Sequence, residues 1–192
     1  GKREDGYHEV RMVMQTIQMY DQLEIKESKE PGIRLTTNLP FLPCTDGNLV
    51  YKAAKLLMDE FDIHQGVDMN LTKFIPVAAG MAGGSSDAAA ALVGINRMFQ
   101  LGLTKRQLME RGVQIGADVP YCVMRGTALA EGIGEKLTSL PGVPMCHVLI
   151  GKPGINVSTK FVYGNLHLDE VTEHPDIDGM VEAIRNHDLY GI

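Results

Sequence analysis

The chain has 192 residues, is 44% hydrophobic and carries a formal net charge of −6, with an isoelectric point near 5.5. That length buries one core, enough for one domain and part of a second. The acidic balance argues against bulk affinity for nucleic acid or an anionic membrane, while leaving room for a local basic pocket that takes phosphate.

No apolar run approaches the roughly 18–20 residues of a membrane helix, and the opening GKREDGYHEV lacks the apolar stretch of a signal peptide. Cys44, Cys122 and Cys146 show no CxxC pairing, which argues against a disulfide framework or zinc site and fits a reducing cytosol. A cytoplasmic monomer or weak homodimer is expected, with no nucleic-acid or membrane partner. The chain does not begin with Met, and it closes on an amphipathic pattern, DIDGMVEAIRNHDLYGI, with nothing evident to pack on. Both ends are expected to be cut.

In chain order, VRMVMQTI (10–17) places Val10, Met12 and Met14 on one face, a half-buried strand signal. Shorter strands are expected at Gln22–Ile25 and Ile33–Thr36, with KESKE (26–30) a solvated turn. Pro40, Pro43 and Asp46-Gly47 make 38–47 a loop. Leu49, Ala53, Leu56 and Leu57 then recur at helical spacing, with Asn48 as N-cap. Val67, Met69 and Leu71 alternate with polar residues, so 67–73 reads as a strand that Pro76 ends. A glycine-rich loop leads into a helix from about Ser86 to Phe99, with Ala89, Leu92 and Ile95 at its buried spacing. Thr104 and Gln107 form a capping box for a third helix, which Gly112 weakens and Gly116 closes. Residues 121–124, 126–130 and 146–151 read as strands, the last buried. The mixed order predicts an α+β fold, with a domain boundary near Pro141–Pro144 or Pro153–Gly154.

The string PVAAGMAGGSSDAAA (76–90) carries the functional signal. A strand, a flexible loop and a helix opening on serines make an anion site, because the first helical N–H groups are unpaired and lie at the positive dipole end. Gly80, Gly83 and Gly84 can take backbone angles closed to other residues. Ser85 and Ser86 add hydroxyls, and the alanines let the helix pack closely. The string is neither a Walker loop nor a GxGxxG fingerprint. A glycine turn with a serine cap, serving stability alone, is the competing reading.

This string resembles the phosphate loop of the GHMP kinases, with Met81 for the usual Leu and Ala82 for a common Gly. If position 82 needs positive φ, alanine costs about 1 kcal/mol or more there. The resemblance implies ATP and Mg2+ as cofactors, with Pro76, Val77, Ala78, Ala79, Gly80, Met81, Ala82, Gly83, Gly84, Ser85, Ser86 and Asn48 toward the nucleotide. It also implies an N-terminal domain of the ribosomal protein S5 domain 2-like fold at 1–143. The start of a ferredoxin-like C-terminal domain would follow at 144–192. Metal ligands are not fixed; Ser86 and Asp87 are candidates, although Asp87 in a first turn also suits the dipole.

Within the superfamily, KREDGYHEV (2–10), SSDAA (85–89) and GADVPYCV (116–123) are similar to members that phosphorylate a cytidine-diphosphate-linked polyol in the non-mevalonate isoprenoid pathway. GNLVYKAAKLL (47–57), GTALAEGIGE (126–135) and KPGINVST (152–159) agree. By this resemblance Asp118 is the catalytic carboxylate, and Tyr7, His8, Thr159 and Tyr163 hold the cytidine. From the residues alone, Asp118 could equally cap its turn, and Tyr7 and His8 could cover a sheet end. The family pairs its Asp with a lysine on an earlier strand; Lys2 is not that residue, so the chain alone is expected to be inactive. Another GHMP kinase acting on homoserine or mevalonate, or a non-catalytic nucleotide-binding module, are the alternatives.

Overall fold

The computed structural model describes residues 8–155, 158–166 and 172–192. The chain divides into two compact units. One consists of the described residues of Gly1–Ile17, Ala78–Gly80 and Arg125–Ile192, the other of Gln18–Val77 and Met81–Met124.

The second of these units is a mixed sheet under helices. Strands β2 (Gln22–Ser28), β3 (Ile33–Thr37) and β4 (Gly66–Thr72) order as β2-β4-β3. β2 runs antiparallel to β4, from Gln22 opposite Thr72 to Ser28 opposite Gly66. β3 is parallel to β4, as a strand pair joined by a crossover helix must be. That helix is α1 (Leu49–Glu60), whose N-cap Asn48 accepts from Val50 N at 2.9 Å and donates to the Pro43 carbonyl at 2.9 Å. Val67, Met69 and Leu71 are buried beneath α1 and α2 (Gly83–Met98), as the period-two pattern of β4 requires. α2 lies so close to β2 that a Cβ at Gly94 would overlap the Ile25 side chain, and the glycine permits that approach. The KESKE segment is half strand, since Lys26, Glu27 and Ser28 complete β2.

Helix α3 (Lys105–Gly112) opens on the expected capping box of Thr104 and Gln107. It ends at Gly112 rather than Gly116: a Cβ at Gly112 would meet Val119 Cγ1 at 2.9 Å, so the close approach of the next helix fixes both the glycine and the end. Residues 121–124 are not a strand. They belong to α4 (Val119–Met124), and Pro120 fits because a first-turn residue needs no N–H partner.

The first unit is an antiparallel sheet, β1-β5-β6, of Val10–Gln15, Thr127–Gly132 and Lys136–Leu140. β6 was not evident in the sequence. Thr16 N donates to the Gly126 carbonyl and Gly126 N to Thr16 Oγ1, both at 3.0 Å, across 110 residues. The closing amphipathic pattern does find a surface. Val181 and Ile184 of α6 (Ile177–Arg185) pack with Leu140, Val13 and Leu129. The apolar run 146–151 is exposed and forms no strand. No described strand pairs with it, and an apolar run by itself does not make a ladder. A short helix, α5 (Thr159–Gly164), follows. Among the described residues no helix is long and apolar enough to cross a membrane.

Candidate active site

The loop from Pro76 to Ala82 joins β4 to α2. Ala78, Gly80 and Ala82 have left-handed backbones, with φ of 55°, 68° and 52°. Of the three glycines expected to supply such angles, only Gly80 does so. Gly83 and Gly84 lie in α2, which begins at Gly83, three residues before the expected Ser86. Gly83 is needed for space instead: a Cβ there would sit 3.0 Å from Ile75 Cγ2 and 3.3 Å from Lys73 Nζ. Ala82, the N-cap, makes no side-chain capping bond. The first-turn amides of α2 therefore have no side-chain acceptor at the cap, which fits an anion supplied by a ligand. Ser85 and Ser86 fall inside the first turn, and Ser86 Oγ donates to the Gly83 carbonyl at 2.8 Å.

Beneath this turn lies a group the sequence reading missed. Lys73 Nζ donates to Asp87 Oδ2 at 2.7 Å and to Asp21 Oδ2, with side chains only 5%, 6% and 3% exposed respectively. Asp21 Oδ1 also accepts from Phe74 N at 2.5 Å and Ile75 N at 2.8 Å. Asn38 completes the frame, donating to the Lys73 carbonyl at 3.2 Å and accepting from Lys73 N at 2.8 Å. Burial alone would raise Asp21, but its bonds from Lys73, Ile75 and Phe74 outweigh that and hold the carboxyl below its ordinary value. Burial pushes Asp87 up to about 6, against the opposing bond from Lys73. Two carboxylates share one ammonium here, and the one with more donors keeps its charge more firmly. A signal for this group did exist. Lys73 continues the inward series Val67, Met69, Leu71, and a charge on a buried phase requires a partner.

Asp118 precedes α4, and its carbonyl accepts from Cys122 N at 3.1 Å. Its carboxyl is half-buried, and desolvation raises its pKa. α4 packs against α2 within the same unit. Asn48, at 8% exposure, commits both ends of its amide to the α1 cap. His8 is half-buried in an isolated bridge. Tyr7 lies outside the described residues, as do the side chains of Thr159 and Tyr163, whose backbones belong to α5.

Residues 48–126 match the family described as GHMP kinases N terminal domain, a span that contains the loop, α2 and Asp118. The chain belongs to the GHMP kinases. Within them it is 59% identical over 189 residues to the 4-diphosphocytidyl-2-C-methyl-D-erythritol kinase of Lachnospira eligens, covering 98% of this chain and 66% of that protein. It is 60% identical over 190 residues to the kinase of the same name from Lachnoclostridium phytofermentans, covering 99% and 65%. The fold superposes on a crystal structure of 4-(cytidine 5'-diphospho)-2C-methyl-D-erythritol kinase with a TM-score of 0.74 at 29% identity, over 96% of this chain and 65% of that one. A homoserine kinase from Cytophaga hutchinsonii shares the fold, with a TM-score of 0.69 at 20% identity over 88% and 59%. The chain thus spans just under two thirds of the length of these curated relatives.

Proposed function

We propose that the protein carrying this chain transfers the γ-phosphoryl group of ATP to the 2-hydroxyl of 4-diphosphocytidyl-2-C-methyl-D-erythritol. The observation that carries this reading is the 59–60% identity to kinases of that name over 98–99% of the chain. The site's chemistry supports it. The uncapped first turn of α2 offers N–H groups to the phosphates, and the left-handed residues Ala78, Gly80 and Ala82 shape the loop that leads to it. ATP supplies the transferable phosphoryl group, and Mg2+ would arrive with its phosphate oxygens.

In this reading Asp118 orients the substrate hydroxyl and takes its proton as the new O–P bond forms and the bond to the β–γ bridging oxygen breaks. Its raised pKa makes it a stronger acceptor for that proton once ionised. Asn48 approaches the adenine with what its capping bonds leave free. Tyr7, His8, Thr159 and Tyr163 hold the cytidine, where aromatic rings can stack on a pyrimidine. The division into a catalytic domain at 1–143 and the start of a second at 144–192 belongs to the same proposal. It is supported by the lack of helix or strand among the described residues from 141 to 158.

Asp118→Asn in the full-length gene product tests the reading. Turnover of the cytidylyl substrate should be lost while ATP and cytidine nucleotides still bind. Near-normal turnover would remove Asp118 from the chemistry. Preference for homoserine or mevalonate over the cytidylyl alcohol would remove the substrate assignment.

A further inference from the structure

We propose that Asp21, Lys73 and Asp87 are positioning residues that tie the entry of the phosphate loop to its exit, and that Lys73 is not itself a phosphate ligand. The inference rests on the reading of the loop as a nucleotide site. Residues 73–75 are the last before the loop, and side chains from other segments hold their backbone. Asn38 pairs both backbone groups of Lys73, as a neighbouring strand would. Asp21 takes the next two amides, of Phe74 and Ile75. It sits one step beyond the Gln22–Thr72 pair, so it meets Lys73 across the ladder.

On the far side of the loop, Asp87 reaches down from the first turns of α2 to the same ammonium. Gly83 lets that turn settle over Lys73 and Ile75, because any Cβ there would crowd both. The loop between these anchors is then short, and the amides of α2 are set in place before a ligand arrives. Such pre-ordering favours binding because less freedom is lost on association.

The ammonium is also wrongly placed for a phosphate. It is 5% exposed and already bonded to two carboxylates. Reaching an anion would strand both of them without a cation, which buried carboxylates tolerate poorly. This separates Lys73 from the lysine of a Walker loop, whose charge is delivered to the phosphates.

The two roles differ in a double-variant cycle measured by titrating a fluorescent ATP analogue into the full-length protein, each variant being checked for folding by circular dichroism. Lys73→Met should weaken ATP binding by about twentyfold or more, whereas Lys73→Met with Asp87→Leu should return to within about fivefold of wild type, since an apolar pair can replace a buried ionic one. Asp21 keeps its two amide donors in the double variant, and the net charge of the group is unchanged. Affinity for a cytidine nucleotide should not move in either. A double variant that folds but binds ATP as weakly as Lys73→Met would make Lys73 a ligand and overturn the inference. Unchanged ATP affinity in folded Lys73→Met would overturn it as well. Wild type that binds no ATP would bring down the nucleotide reading and this inference with it.

Discussion

The two units solve the same packing problem in different ways. In each, an amphipathic helix covers a three-stranded sheet. Where α6 meets β1, β5 and β6, the interior contacts are those of Val181, Ile184, Leu140, Val13 and Leu129, and the charges stay outside. Arg11 reaches Asp178 of α6 at 2.5 Å and Glu131 at 3.3 Å, with side chains 43%, 81% and 44% exposed. Under α2, an ammonium and two carboxylates go inside instead. Exposed pairs gain little because water and salt screen them, whereas a buried group is costly to leave half-made. The difference marks the second location as one where position matters more than stability.

The sharpest way to break this comparison is to remove one cation from each location. Lys73→Met leaves two buried carboxylates without their ammonium and should destabilise the second unit by about 3–5 kcal/mol in urea unfolding. Arg11→Met should leave the midpoint within error. Equal effects would erase the distinction. Next in size, Ile184→Ala should lower the stability of the first unit by about 2–5 kcal/mol, through lost burial alone and without pH dependence.

A pH series sharpens the contrast further. Asp87 has a folded pKa raised to about 6 from 3.8. Between those values the folded form binds the proton more tightly, so this group's contribution is full below about pH 4 and is lost as pH rises through about 6, an effect on the order of 3 kcal/mol. Asp21 acts oppositely, stabilising above its ordinary value and losing that on acidification. Asp87→Asn should therefore flatten the decline in stability from about pH 4 to 6. Asp118, also raised by burial, leaves a remnant of the slope. An unaltered slope would place the proton elsewhere. Smaller still, Asn48→Ala should cost about 1 kcal/mol through the lost α1 cap. Ala82→Gly should gain about 1 kcal/mol by relieving a left-handed alanine, visible as a raised Tm.

Much of the fold was legible because its signals are local. The alternation of β4, the Asn48 cap and the Thr104–Gln107 box each depend on neighbours in sequence, and each stands where the pattern put it. The failures depend on distant partners. Tyr121–Met124 is too short an apolar run for its period to separate strand from helix, and the packing of α4 on α2 and α3 decides it. Residues 146–151 have strand-like composition but no described partner. Lys136–Leu140 is a polar edge strand, recognisable only by its ladder to β5. The phosphate loop was read from its composition, yet the reason for Gly83 was not. That reason is the Ile75 side chain and the Lys73 ammonium below it, a contact that no local pattern in the sequence reveals.

The bonds between Thr16 and Gly126 also set an order of events. The ladder between β1 and β5 cannot form until β5 exists, and those bonds span 110 residues of chain. β2, β3 and β4 find each other over shorter separations, the far end of their ladder joining Ser28 to Gly66. Closing the longer loop adds little to the equilibrium cost, which grows only logarithmically, but non-local pairing slows folding. During synthesis the sheet beneath α1 and α2 can form while β1 waits for β5. β1 is thus protected later than the sheet that follows it in the chain, and that interval is when it is most exposed to pairing with the wrong neighbour.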